Sequence, residues 1–289
     1  MMNNNKVEVK HLEIESMDDL KEKIKNNKDT NCEYKVSIEE AALDQESLEN
    51  LSSSMIGLNM SSLECRPDYD DDVPIIDFSK VHFPKLRSIE LYCQGVKAVH
   101  FTKENTPLLE SFDLESNGPQ PLEYFCLDLP NLVSLSFQFV EIANPSDFGK
   151  SLSKCSNLKS VNCYKLFGLG VPKSKTHNLV LPRCKSLDFY RSDDLNYLKI
   201  WAPHLECLNL QACYAIDEVT ILNNKPNGYT GPAYTFTGTP SKYRVNCLNT
   251  TRPKGNLITH PRCGIVFPPT DDNHEEYDPF EWLNIPMPK

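Results

Sequence analysis

Acidic, amide and tyrosine side chains recur at two-residue spacing along the middle of the chain: Glu90 and Tyr92, Asp113 and Glu115, Asn162 and Tyr164, Asp188 and Tyr190, Asn209 and Gln211. Side chains two apart in a strand share a face, so each pair is expected to offer a polar group and, in three of the five, an aromatic ring to the same neighbour. That is recognition chemistry, since tyrosine is favoured where binding energy concentrates. Catalysis asks for a nucleophile, a base and an orienting group that converge in space, and the seven histidines are scattered. Glu90, Asp113 and Asp188 are too dispersed for the paired carboxylates of a glycosidase.

Other groupings carry less. His260, Cys263, Asp271, Asp272 and His274 match none of the paired-ligand spacings of zinc sites. The acidic run Asp68 to Asp72 has neither the glycine turn nor the distal glutamate of a calcium loop and reads as a solvated loop. Gly168 and Gly170 fit no phosphate-binding pattern and read as a bend. No catalytic residue, metal ligand or cofactor is assigned. The expected partner is a protein or peptide.

What must position the five pairs is a repeat. Phe83-Pro84-Lys85-Leu86 is followed by Ile89 and Leu91, and Thr106-Pro107-Leu108-Leu109 by Phe112, Leu114 and Asn117. Leu129-Pro130-Asn131-Leu132 leads to Leu135 and Phe137, Cys155-Ser156-Asn157-Leu158 to Val161 and Cys163, and Leu181-Pro182-Arg183-Cys184 to Leu187 and Phe189. The sixth copy, Ala202-Pro203-His204-Leu205, continues to Leu208, Leu210 and Cys213 in the spacing L-x-x-L-x-L-x-x-C. The anchors 86, 109, 132, 158, 184 and 205 are 21 to 26 residues apart. Proline fixes its own φ and drives the preceding residue extended, so it is expected to make the corner before each strand.

Aligning the copies yields three outward columns. Ser88, Ser111, Ser134, Ser160, Ser186 and Cys207 form a small floor; Glu90, Asp113, Ser136, Asn162, Asp188 and Asn209 form the second column; Tyr92, Glu115, Gln138, Tyr164, Tyr190 and Gln211 form the third. Cys163, Cys184 and Cys213 fall where the pattern wants a buried residue and are expected in the core. Cys207 is expected to face outward.

These copies resemble leucine-rich-repeat proteins, and Ala202 to Cys213 is most similar to the irregular arrays found behind F-box modules. The resemblance implies an α/β solenoid with a parallel sheet on one side, mostly extended segments on the other, and a protein–protein interaction scaffold. It carries over no activity. Two alternatives follow: a substrate-recognition subunit of a ubiquitin ligase, without a recognisable F-box in residues 1–80, and a β-helix enzyme acting on carbohydrate.

Charge divides the chain. Residues 1–80 hold 19 acidic against 9 basic side chains, and the remainder holds 21 of each. A balanced body with an acidic start lacks the clustered Lys and Arg that a phosphate backbone needs, so nucleic acid is not expected, and no apolar run suits a membrane. Eleven cysteines without a Cys-x-x-Cys pair or an export signal before residue 30 are expected to be thiols in the cytoplasm or nucleus.

Three regions are expected: an acidic cap grading into degenerate repeats (1–80), the array (81–222), and an irregular extension (223–289) with ten of the 21 prolines, part of it capping the sheet. Within the cap, alternation and helical spacing predict strands at 7–15, 34–38 and 55–60 and helices at 17–25 and 44–51. In the array a helix is predicted only at Ser146 to Cys155, capped by Ser146. Elsewhere the second side reads as extended at 98–102, 124–129, 178–181 and 197–201.

Overall fold

The computed structural model describes residues 7–39, 43–66, 76–92, 96–116 and 121–202, and beyond these 204, 207–209, 213, 215, 217–222, 232–239, 242–247 and 257–258. The chain divides into two compact units, Met1–Leu132 and Val133–Lys289. Both are α/β, dominated by parallel strands. No helix among the described residues is long and apolar enough to cross a membrane.

The first unit runs β1 (Glu8–Ile14), α1 (Met17–Asn26), β2 (Cys32–Glu39), α2 (Gln45–Ser53), α3 (Met55–Asn59), β3 (Met60–Arg66), β4 (Ile76–Asp77), β5 (Ser88–Tyr92), β6 (Val96–Thr102), β7 (Ser111–Glu115) and β8 (Tyr124–Asp128). β1, β2, β3, β5 and β7 pair in that order, all parallel. The register aligns Leu12, Val36, Leu63, Ile89 and Phe112 in one row and Ile14, Ile38, Cys65, Leu91 and Leu114 in the next. Apart from Leu12, all of these are buried. Fully burying one such side chain is worth about 1.5–3 kcal/mol, and a one-residue slip would turn every one of them to solvent. The alternation therefore fixes the register.

The predicted helices form for local reasons. Ser16 accepts from the Asp19 amide, Asp18 and Asp19 sit at the positive end of the helix dipole, and Lys23 and Lys25 at its negative end. Asp44 likewise caps α2, accepting from the Ser47 amide at 2.7 Å, and Leu48 and Leu51 are buried. The strand expected at 55–60 is helical instead. The Ser54 hydroxyl accepts from the Gly57 amide at 3.1 Å and so starts α3, which holds the backbone helical until Met60. Gly57 is required there, because a Cβ would stand 2.1 Å from the Leu51 carbonyl oxygen. β3 consequently begins where the predicted strand was to end.

β4, β6 and β8 form a second parallel sheet in this unit, matching the extended segments expected at 98–102 and 124–129. Phe101 of β6 meets Phe112 of β7 edge-on at 5.1 Å, and Phe78 at 5.3 Å. The core of the unit is filled by these rings and the two apolar rows.

The second unit runs β9 (Ser134–Gln138), α4 (Phe148–Lys154), β10 (Ser160–Tyr164), β11 (His177–Val180), β12 (Ser186–Asp188), β13 (Tyr197–Trp201), β14 (Cys207–Asn209), β15 (Glu218–Leu222), β16 (Pro232–Thr239), β17 (Lys242–Cys247) and β18 (Leu257–Ile258). β9, β10, β12 and β14 are parallel neighbours, and β18 adds to β14. β11, β13 and β15 form the second sheet. The extension, expected to be irregular, contributes strands: β16 pairs antiparallel with β15, and β17 with β16. Ser146 does not cap α4. It lies within a short 3-10 turn, Pro145–Asp147, which leads into the helix without a side-chain cap; proline at the head of that turn presets its φ.

One backbone device recurs at every described corner. The anchor amide donates to the carbonyl three residues earlier, Leu86 to Phe83, Leu109 to Thr106, Leu132 to Leu129, Leu158 to Cys155 and Cys184 to Leu181, at 3.1 to 3.3 Å. Proline occupies the second position of four of these turns, where its fixed φ suits a β-turn. The expected corner is thus a hydrogen-bonded turn; the sixth lies partly outside the described residues.

Cys163, Cys184 and Cys213 are buried, as expected. The Cys213 thiol donates to the Phe189 carbonyl, and the Ser192 hydroxyl, at the equivalent place one copy earlier, donates to the Cys163 carbonyl at 3.2 Å. Each satisfies a buried carbonyl of the preceding copy. Leu158→Ala is expected to cost about 2–5 kcal/mol through its transfer and cavity terms, and Ser192→Ala about 1–3 kcal/mol by orphaning that carbonyl. Urea denaturation measures both; a near-silent Leu158→Ala would show that this anchor is not core.

Candidate functional site

The structure places eight of the ten predicted binding residues with their side chains, four in each unit. In the first unit Glu90 is registered against Asp113, and Tyr92 against Glu115, on the outward face of β5 and β7; both strands alternate half-buried and buried residues. The same face continues onto β3, where Glu64 is registered against Glu90. Arg66 ties the group together. Its Nε is 2.5 Å from Glu64, a terminal nitrogen is 3.6 Å from Glu90, and its guanidinium lies 4.5 Å from the centre of the Tyr92 ring. Burial pushes the Tyr92 hydroxyl pKa up, and the negative charge of Asp113 adds to this. Sequence reasoning missed Arg66 and Glu64 because β3 lacks the proline-led turn. The available signal was Met60, Leu63 and Cys65, which repeat the anchor spacing 26 residues before Leu86.

In the second unit the register aligns Ser136, Asn162, Asp188 and Asn209 across four strands. Asn209 is placed by its backbone in β14, and Gln211 lies outside the described residues. Gln138 is registered against Tyr164. Tyr190 lies beyond the end of β12 rather than in it, because the Asp188 carboxylate turns back to accept from the Tyr190 amide at 2.8 Å. That bond gives Asp188 a part in the turn. The turn still delivers Tyr190 to Tyr164, whose ring it stacks on at 5.6 Å and 18°.

Three residues not foreseen join these tyrosines. Phe139, Lys165 and Arg191 each stand seven residues after an anchor and each adopt a left-handed backbone, φ 57°, 51° and 60°. The Phe139 amide donates to the Tyr164 carbonyl at 3.0 Å, and the Lys165 amide to the Tyr190 carbonyl at 2.9 Å. The bend is therefore repeated copy by copy.

Elsewhere, the carboxylates of Glu8 and Asp29 approach the Cys32 sulfur at 3.6 and 3.1 Å. Burial raises the thiol pKa, so sulfur is a proton donor to the two acids, and Lys10 lies 3.7 Å from Asp29 to balance their charge. His260, Cys263, Asp271, Asp272 and His274 lie outside the described residues. His177 is buried, edge-on to Phe148 at 5.9 Å, with Nε2 donating to the Leu169 carbonyl at 2.8 Å. Burial pushes its pKa down, and it fills the core beneath α4. Gly168 makes the bend expected of it, with φ 75° and a Cβ position 2.0 Å from the Ile142 carbonyl oxygen.

Comparison with known proteins gave no match to a family model, a curated protein or a solved structure.

The thiols divide by exposure. Cys126 is half-exposed, whereas Cys65, Cys163 and Cys184 are buried; the side chain of Cys207 is outside what the structure describes. Burial pushes Cys65 and Cys184 up to about 12, and Cys163 well above its ordinary value. Because the thiolate is the reactive form, brief alkylation of the native protein should label Cys126 and spare these three until urea is added; peptide mapping would reveal a failure. In the unfolded chain the same thiols ionise near 9.0, so the stability they contribute is complete below that pH and is lost as pH rises from there toward about 12. Cys184→Ala is expected to flatten that alkaline loss, measured as urea midpoint against pH.

Proposed function

We propose that this chain is a leucine-rich-repeat interaction protein of the cytoplasm or nucleus, built as a solenoid, that holds a protein or peptide on its outward sheet faces and performs no catalysis. The repeated turn bond supports the repeat reading: the same donor and acceptor recur at five corners 23 to 26 residues apart. The reading of function rests on one observation. Register brings Glu90, Asp113, Tyr92 and Glu115 into adjoining rows in the first unit, and Asn162, Asp188, Tyr164 and Tyr190 together in the second, each exposed or half-buried and set on rigid parallel strands. Polar groups and aromatic rings held on a fixed backbone bind with little ordering cost.

The test is affinity capture with mass spectrometry, comparing the native chain with the triple variant Tyr92→Ala, Tyr164→Ala, Tyr190→Ala. Truncating an aromatic hot-spot contact costs at least about 2 kcal/mol of binding, so the variant should lose its specific partners by more than tenfold while its unfolding free energy in urea stays within about 1 kcal/mol of the native chain's. Unchanged capture would refute the sheet-face reading. Recovery of a ubiquitin-ligase adaptor among the partners would favour the substrate-recognition role.

A further inference from the structure

At the ends of β9, β10 and β12, aromatic and cationic side chains alternate. The Phe139 ring meets Tyr164 edge-on at 5.1 Å, and Tyr164 stacks on Tyr190 at 5.6 Å. The Lys165 ammonium lies 4.6 Å from the centre of Phe139 and 5.5 Å from that of Tyr164, and the Arg191 guanidinium 5.4 Å from that of Tyr190. Ring faces order the side chains of these cations without neutralising them. Among the described residues, neither Lys165 nor Arg191 has a carboxylate within ion-pairing distance. Asp188, three residues before Arg191, has one carboxylate oxygen turned onto the Tyr190 amide. Two positive charges on successive copies, half-exposed and exposed, thus stand beside three rings.

We propose that this edge is the docking site for an extended acidic segment of a partner protein, its carboxylates on Lys165 and Arg191 and an apolar side chain against Phe139. This rests on the reading of the sheet face as a partner-binding surface and names the chemistry of that partner. Charge complementarity selects it. Neighbouring strands lie about 4.8 Å apart, and same-face side chains of an extended chain about 6.7 Å, so acids at alternate positions reach both cations once their own length is counted. A nucleic-acid backbone is the poorer fit, because it draws on many clustered cations, whereas this edge offers two.

The experiment titrates the full chain with a fluorescein-labelled peptide carrying Leu, Asp and Asp at alternate positions with Ser between, and with the same peptide carrying Asn for Asp. Saturable binding of the acidic peptide is expected, weaker by at least about tenfold for the Asn peptide, in the double variant Lys165→Gln, Arg191→Gln, and when salt is raised from about 50 to about 500 mM. Arg and Lys are not equivalent over a ring, but the charge-preserving pair Lys165→Arg, Arg191→Lys should still bind at least about threefold tighter than the Gln pair, which separates loss of charge from loss of fold. Equal binding of the two peptides, no binding of either, an unaffected Gln variant, or tighter binding of an oligothymidylate or of inorganic phosphate would overturn the proposal. If partner capture still depends on the three tyrosines while the acidic peptide fails, only this inference falls. If capture is indifferent to the tyrosines, the sheet-face reading falls with it.

Discussion

The turn bond at each anchor is the constraint on which the described sheets depend. A strand that enters its sheet one residue early would turn its leucines to water, so the corner must deliver the anchor at a fixed place. The amide of the anchor does this by closing onto the carbonyl three residues before it, with proline presetting the second position in four of the five described cases. The next amide then joins the preceding copy: Arg87 donates to the Ser61 carbonyl, Glu110 to Arg87, Lys159 to Val133 and Lys185 to Lys159, each at 2.8 Å. Local closure and lateral pairing begin on adjacent residues, so the register of one strand is inherited by the next.

Once that is set, the two faces of each strand have separate tasks. Inward positions are apolar or are thiols that burial keeps protonated. Buried carbonyls at the strand exits are satisfied by whichever small donor the copy carries, a hydroxyl in Ser192 and a thiol in Cys213. Outward positions are released from packing, and there the chain collects its acids, amides and tyrosines.

Much of this was legible in the residues. Proline two before the anchor, followed by apolar residues at fixed offsets, is a local pattern, and it located β5, β7, β9, β10, β12 and β14 and the extended segments β6, β8, β11 and β13. What stayed hidden depended on competition or on distance. The run Met55 to Met60 is apolar enough for a strand, and only the Ser54 hydroxyl turns it into a helix. Ser192 looks too polar for the core until its carbonyl partner is known. Arg66 reaches Tyr92 across strands whose sequences share little, and Phe139, Lys165 and Arg191 reach the tyrosine rings by a left-handed bend that no periodicity signals.

Ser54 is a single pin through two hinges. Its hydroxyl donates to the Leu51 carbonyl at the end of α2 and accepts from the Gly57 amide at the start of α3. The end of one helix and the start of the next therefore share one oxygen, and losing it removes a bond from both. The β2–β3 pairing shifts register between Tyr34 and Lys35, where Met60 brings this crossover back into the sheet.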